Sequence, residues 1–323
     1  MLACTITSRS HLAGARVLAE SLIEHHPGMS VVALALDGPS DPVGQDEPFE
    51  VLRPEDIGVE RQELGRRALL YKPSELAWSF KAPLLRHLVE RSGDSVVYLD
   101  ADCVVYDDLG PLFEAVPAHG LALTAHSLTP APAVGYWATE TFFQRHGVFN
   151  SGVIGAGPAG RPFLDWWTER TARYCEVDPE RGLTGDQGWL TLVPALFDYT
   201  LVRDPGINVM GWSLHDRDIE WQGDRPTLGG VPLRCFHFAG PFDPRQPDDF
   251  RPIPEQREPW PPLAERPGAA RLCEEYSRRV LAKGHLELLG ARPINDRTPG
   301  GIALDPLLRG LYRAALLDRL GID

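Results

Sequence analysis

Apolar residues follow two rhythms along the chain. Short, unbroken runs at Leu2–Thr7 and Val31–Leu36 read as strands, and between them Leu12 to His25 has helical spacing, with Val17, Leu18, Leu22 and Ile23 on one side. The second strand ends at the turn pair Asp37-Gly38, and Pro39 to Pro54 is a polar, proline-rich loop. Ser74 to Glu90 is predicted helical, with Pro83 placed to start a new segment or kink it. Val96 to Tyr106 reads as a third strand, introduced by Gly93 and Asp94. Leu121–Ala125, Gly147–Gly155 and Arg234–Phe238 supply further strands, and a helix holding Trp166, Trp167 and Tyr174 lies among them. Strands alternating with helices predict an α/β fold, a mixed and mainly parallel sheet flanked by helices.

Beyond the last strand the texture changes. Pro241 to Pro267 is dense in proline and acidic residues and reads as a surface excursion or linker. Ala269–Leu289 and Asp305–Leu320 are predicted helices, the second with Asp305 as N-cap and Pro306 at its first position. The expected division is a domain over residues 1–245 and a linker with a helical C-terminal extension over 246–323. In the last helix Leu307, Leu308, Leu311, Ala315 and Leu316 form an apolar stripe, with Arg309, Arg313 and Arg319 on the polar side. A basic amphipathic helix can lie on a membrane. Packing onto the protein or a second subunit is the expectation, because the chain as a whole is acidic.

That acidity narrows the partners. Against 45 Asp and Glu stand 32 Lys and Arg, a formal charge of −13, which argues against a nucleic-acid or anionic-membrane binder. Hydrophobic residues at 43% and charged residues at 24% are ordinary for a globular chain of 323 residues. The five cysteines stand singly, with no CxxC pair or Cys/His cluster, so the expectation is a reducing, cytoplasmic setting without zinc site or disulfide framework. Leu2–Thr7 lacks the pattern of a signal peptide, and no apolar run approaches a membrane span.

Within Val96–Tyr106 two carboxylates, Asp100 and Asp102, interrupt the apolar run around Ala101. Burying them unpaired would cost several kcal/mol. At the carboxyl end of a central strand, where ligands bind in open parallel sheets, residues i and i+2 can face one ligand. Hard divalent cations are held by one or two such carboxylates plus substrate phosphates. Two solvated loop acids are the bland alternative.

At these residues the chain resembles the GT-A (Rossmann-like) glycosyltransferases, in particular the retaining family that includes glycogenin and the bacterial lipopolysaccharide galactosyltransferases. Tyr98-Leu99-Asp100-Ala101-Asp102 is similar to the family's metal-binding Asp-x-Asp, and Phe149-Asn150-Ser151-Gly152-Val153 to a segment whose Asn touches the donor sugar. Gly185-Asp186-Gln187 resembles the motif near the anomeric carbon, and His237-Phe238-Ala239-Gly240 the late segment whose His completes the metal shell. The order is kept across residues 1 to about 245. Two departures stand out: Gly188 follows Asp-Gln, and Pro241-Phe242-Asp243-Pro244 occupies the place of a common Lys-Pro-Trp.

The resemblance implies a metal-dependent transferase for a nucleotide-sugar donor, with UDP preferred and retention of configuration. It implies Mn2+ or Mg2+ on Asp100, Asp102 and His237, and Asp186 and Gln187 at the reacting carbon. Thr5, Thr7 and Ser8 would meet the nucleotide, and Asn150, Ser151, Ala101 and Gly240 would line the donor site. Lys81 could meet donor phosphate as a point charge or be a surface helix lysine. Asp186 could equally be a helix N-cap. Asn208-Val209-Met210-Gly211-Trp212 with His215 reads as a sugar or acceptor wall, with a core Trp and a turn His as the rival. The acceptor is open: a glycan, a lipid-linked glycan, a natural product or a protein, with a homo-oligomer possible in principle.

Competing readings are an inactive sugar-nucleotide binder and a sugar-1-phosphate nucleotidyltransferase, although Thr5–His11 lacks the latter's glycine-rich loop. Gly155-Ala156-Gly157-Pro158-Ala159-Gly160 matches a dinucleotide fingerprint but sits mid-chain, which favours a glycine turn. His119, His126 and His146 read as ordinary surface or core residues.

Overall fold

A computed structural model describes residues 1–36, 46–131, 138–215, 218–240, 242–250, 263–289 and 303–320. Strand β1 (Leu2–Thr7), helix α1 (Leu12–His25), β2 (Ser30–Ala35) and β3 (Glu50–Leu52) open the chain. Helices α2 (Arg61–Leu70), α3 (Pro73–Trp78) and α4 (Lys81–Ser92) precede β4 (Val96–Leu99) and β5 (Cys103–Val105). Then come α5 (Gly110–Ala115), β6 (Leu121–Ala125), α6 (Glu140–His146), β7 (Phe149–Ala156) and α7 (Arg161–Arg173). A short pair, β8 (Val177–Asp178) and β9 (Leu183–Thr184), leads to α8 (Val193–Leu196) and β10 (Thr200–Val202). Strands β11 (Ile219–Gln222), β12 (Arg225–Leu228) and β13 (Val231–Pro232) make a small antiparallel sheet, followed by β14 (Cys235–His237). Helices α9 (Pro267–Ala282), α10 (His285–Leu288) and α11 (Pro306–Leu320) end the described chain.

Seven strands form the main sheet in the order β10-β6-β7-β4-β1-β2-β3. The strand β1 runs parallel to β2 and β4, while β7 is antiparallel to both β4 and β6. Alternation along the strands feeds two cores. Ala3, Val31, Ala33, Val97 and Leu99 face the layer of α1 and α9; Cys4, Ile6, Val32, Leu34 and Tyr98 face that of α4 and α7. This is the mixed, mainly parallel α/β architecture expected from the sequence, with C-terminal helices packed beside it. Among the described residues no helix is long and apolar enough to cross a membrane.

Several boundaries differ from the sequence reading. The run Val96–Tyr106 is two strands: β4 ends at Leu99, and after a turn β5 joins β14 in a separate two-stranded ladder. The Ser74–Glu90 helix is split at Ser79–Phe80, so that Pro83 falls in the first turn of α4, where its missing N–H costs nothing. The GxGxxG glycines leave an antiparallel strand, so no parallel βα crossover exists there, and Gly160 lies against the Gly120 backbone as a close-packed turn. Ile23 is 39% exposed, off the buried stripe of α1. Asp37-Gly38 lies outside the described residues, and β3 occupies part of the stretch read as loop.

The segment after β14 is not a surface excursion where it is described. Phe250 is buried, and Phe238 stacks on Tyr276 of α9 with ring centroids 3.9 Å apart; residues 251–262 lie outside the described chain. Helix α11 begins as expected, with Asp305 Oδ1 accepting from the Leu308 N–H at 2.7 Å. Its face is the reverse of the expected one. Arg309 donates to the Ala68 and Tyr71 carbonyls (2.7 and 2.6 Å) and Arg313 to that of Leu70 (2.8 Å), while Leu307 and Leu311 are exposed. The open carbonyls at the C-terminus of α2 attract cations more strongly than the two leucines seek cover.

Candidate active site

The turn between β4 and β5 brings the two aspartates together. Asp100 N–H donates to the Gly152 carbonyl on β7 (2.8 Å) and Cys103 N–H to the Asp100 carbonyl (3.0 Å), closing the turn. Antiparallel pairing of β5 with β14 sets Cys103 opposite His237. The His237 ring thereby reaches both acids: Nε2 is 3.1 Å from Asp102 Oδ1 and 3.7 Å from Asp100 Oδ2. Glycine at 152 is required beneath it, because a Cβ there would collide with the His237 ring. Burial by itself would lower the imidazole, but Asp102 and Asp100 outweigh it and hold His237 above its ordinary value. Burial likewise opposes charge on Asp102, and the charge of His237 draws that carboxyl below its ordinary value.

Lys81 supplies the second cation. It is 1% exposed in the first turn of α4, not a surface lysine. Its Nζ lies 3.1 Å from Asp100 Oδ1 and 3.4 Å from Asp186 Oδ2, and it donates to the carbonyl and hydroxyl oxygens of Ser151 (3.2 and 3.1 Å). Tyr98 donates to Asp100 at 2.6 Å, and its ring lies 5.1 Å from the ammonium. Burial works against the charge on Lys81, and Asp100 and Asp186 more than offset it, so the lysine stays protonated. Burial raises Asp186 more than Lys81 lowers it. Asp186 makes no capping bond to the helix that follows, so the N-cap reading does not hold.

A polar network lies behind these groups. Asn150 Oδ1 accepts from Gly152 N–H (2.8 Å) and from Asn208 Nδ2 (3.2 Å), and Asn208 also donates to Thr124 (2.6 Å). Asn208 has φ +55°, the one positive value for a non-glycine among the described residues. His126 sits 3.4 Å from the Asn150 amide and is packed between Phe143 and Trp212. Sequence reasoning set His126 aside, since nothing near it in the chain links it to Asn150. The Trp212 ring is 7% exposed within this aromatic cluster, so the core alternative holds and not the open sugar wall; His215 bonds to Thr129 at 3.0 Å.

Two cavities open at the Asp100–Asp102 turn and share Ser10, His11, Ala101 and Asp102. The smaller, about 150 Å³, runs between the end of β1 and α3; Thr7, Ser8, Leu76 and Trp78 line it. Thr5 is fully buried in β1 and lines neither. The larger, about 640 Å³, is bounded by Gly240, Asp243 and Asp249 and by Tyr276, Val280 and His285 from α9 and α10. Asp186 is 2% exposed and lines neither cavity, and Gln187 donates its amide to the His146 carbonyl at 3.0 Å. Ligand atoms of Asp102, Cys103 and His237 lie within 4.8 Å of one another. Burial pushes the Cys103 thiol well up, and a thiol is a soft donor; the two carboxylates and the imidazole form an O,O,N set suited to a hard divalent cation.

No family model matches the chain. It is 28% identical over 244 residues to uncharacterized protein YfnF of Bacillus subtilis (strain 168), covering 73% of this chain and 80% of that one. To uncharacterized protein YfnD of the same organism it is 26% identical over 248 residues, covering 73% and 76%. Among solved structures, the galactosyltransferase LgtC in complex with donor and acceptor sugar analogues superposes with a TM-score of 0.51 at 15% identity, covering 87% of this chain and 96% of that one. The chain has the GT-A fold of that galactosyltransferase.

Proposed function

We propose that the protein is a metal-dependent glycosyltransferase that moves a sugar from a nucleotide-sugar donor, with UDP preferred, to a hydroxyl acceptor with retention. The observation that carries this reading is the meeting of Asp100 and Asp102, on the turn between β4 and β5, with His237 of β14, beside two adjoining cavities that the aspartates help to line. These three residues would hold Mn2+ or Mg2+, which when bound supplies positive charge against the leaving diphosphate. Thr7, Ser8 and Ala101 would meet the nucleoside in the narrow cavity; Thr5 supports them from within β1. Gly240 would face the diphosphate, and Asn150 and Ser151 the donor sugar.

In the reaction the anomeric carbon–oxygen bond of the donor breaks, the acceptor hydroxyl adds to that carbon, and its proton passes to the departing diphosphate. Asp186 and Gln187 are assigned to the reacting carbon. Burial of Asp186 behind Lys81 favours stabilising an oxocarbenium-like transition state over direct attack. Lys81 sets its ammonium between Asp100 and Asp186 and offsets their charge. Residues 1–245 would form the catalytic domain and 246–323 a linker and extension, in a cytoplasmic protein whose acceptor is a glycan, a lipid-linked glycan, a natural product or a protein.

Purified protein incubated with a panel of UDP- and GDP-sugars tests the reading. Donor turnover should appear with manganese or magnesium and vanish with chelator or in Asp102→Ala. Tight metal-dependent nucleotide binding without turnover would favour the inactive binder instead.

A further inference from the structure

We propose that His285, carried by the C-terminal helix α10, is a diphosphate-binding residue of the donor site. This rests on the transferase reading above and adds to it a ligand contact from outside the Asp-x-Asp, Asn and His segments.

The larger cavity poses a charge problem. Asp102, Asp243 and Asp249 face it, and no lysine or arginine is among the described residues that line it. A nucleoside seated in the narrow cavity must send its phosphates past the shared border at Ala101 and Asp102 into this acidic space. A cation on Asp102 and His237 offsets part of the charge there. Asp243 is paired with Arg245, whose Nε and Nη2 donate at 2.9 and 2.7 Å. Two imidazoles remain as N–H donors. His11 Nδ1 is shared with Ser8 and Ser10 at 3.1 and 3.0 Å. The half-buried His285 ring has no hydrogen-bond partner among the described residues, and it lines the cavity.

The position of His285 is built into the fold. Arg16 of α1 donates to the Lys283 carbonyl at 2.9 Å, and the Lys283 ammonium pairs with Glu20. Gly284 then turns the chain at φ +87°, a conformation a side-chained residue resists, and Leu288 buries the far end of the short helix. Helix α10 also packs on the Arg9–His11 turn, which borders the nucleoside cavity. An N–H donor is thus carried on the wall of the cavity that Asp102 also lines, where phosphate oxygens need one.

Calorimetry with manganese and UDP, GDP, ADP, CDP or dTDP first identifies the diphosphate that wild type binds; its nucleoside is then the reference ligand. His285→Ala is expected to weaken the diphosphate about tenfold and the nucleoside less than twofold, with His285→Gln recovering part of the loss through its amide N–H. Leu286→Ala, an exposed neighbour on α10, should change neither. Equal losses for nucleoside and diphosphate, or a lowered Tm with no phosphate-selective loss, would make His285 structural and overturn the inference. Unchanged diphosphate affinity in His285→Ala would overturn it while leaving the transferase reading intact. Failure of wild type to bind any of the five would remove both.

Discussion

His237 Nε2 lies 3.1 Å from Asp102 Oδ1; the imidazole stands on β14 and the carboxylate on the turn that leads into β5, the partner strand of β14. On the proposed reading, a divalent cation would take the place of this contact. Binding of Mn2+ must displace the imidazole proton, so affinity should rise with pH until His237 is neutral. At 100 times its Kd, manganese should stabilise the wild type by about 2.7 kcal/mol, and a thermal melt of Asp102→Asn or His237→Gln should show almost none of this gain.

Lys81→Met should be among the most damaging single changes in the chain. It removes one cation from the buried Asp186 and the half-buried Asp100, at a cost of about 3–5 kcal/mol in urea unfolding, of which Lys81→Met with Asp186→Asn should recover a part. A loss under 1 kcal/mol would show that solvent reaches Asp186.

Acid should unfold the protein in part through His126. Burial lowers this imidazole to about 3, so between pH 6.5 and 3 the unfolded chain binds a proton that the folded chain refuses. Stability therefore falls as pH drops through that window, by as much as about 5 kcal/mol. His126→Phe, placed against Phe143 and Trp212, should flatten this slope in denaturant titrations at pH 4 to 7.

At α11 the arginines should matter and the leucines should not. Arg309→Ala should cost about 1–3 kcal/mol and raise hydrogen exchange in α11 and the end of α2, because three carbonyl contacts, that to Tyr71 buried, lose their donor. Leu307→Glu should stay within about 0.5 kcal/mol of wild type. Deleting residues 305–323 should lower stability for the same reason.

The strand–helix alternation and the main site residues were legible because local periodicity and short motifs carry them. Asp100, Asp102 and His237 were named from sequence and do converge. The break between β4 and β5 was not legible, since strand-like apolar residues stand on both sides of Asp100–Asp102 and only pairing with β14 diverts the second half. Lys81 remained ambiguous because burial of a helix lysine depends on Asp186 far along the chain. The α11 face was misjudged for a related reason: hydrophobic periodicity omits the attraction of another helix's open carbonyls. Strands β11–β13 and the Asn208 backbone gave no pattern to read.

The seam between β5 and β14 has a bearing on how the molecule comes into being. A ribosome has made Asp102 long before it makes His237, so the growing chain holds an acidic turn whose partner strand does not yet exist. Contacts of such sequence separation form late, after the loop-closure entropy of the intervening segment has been met. The parallel core of β1, β2 and β4 with Lys81 can assemble first, and ion affinity appears only when the last third of the chain threads its short strand alongside. On the proposed metal reading, uptake of manganese by nascent or refolding protein would therefore time the docking of β14 on β5.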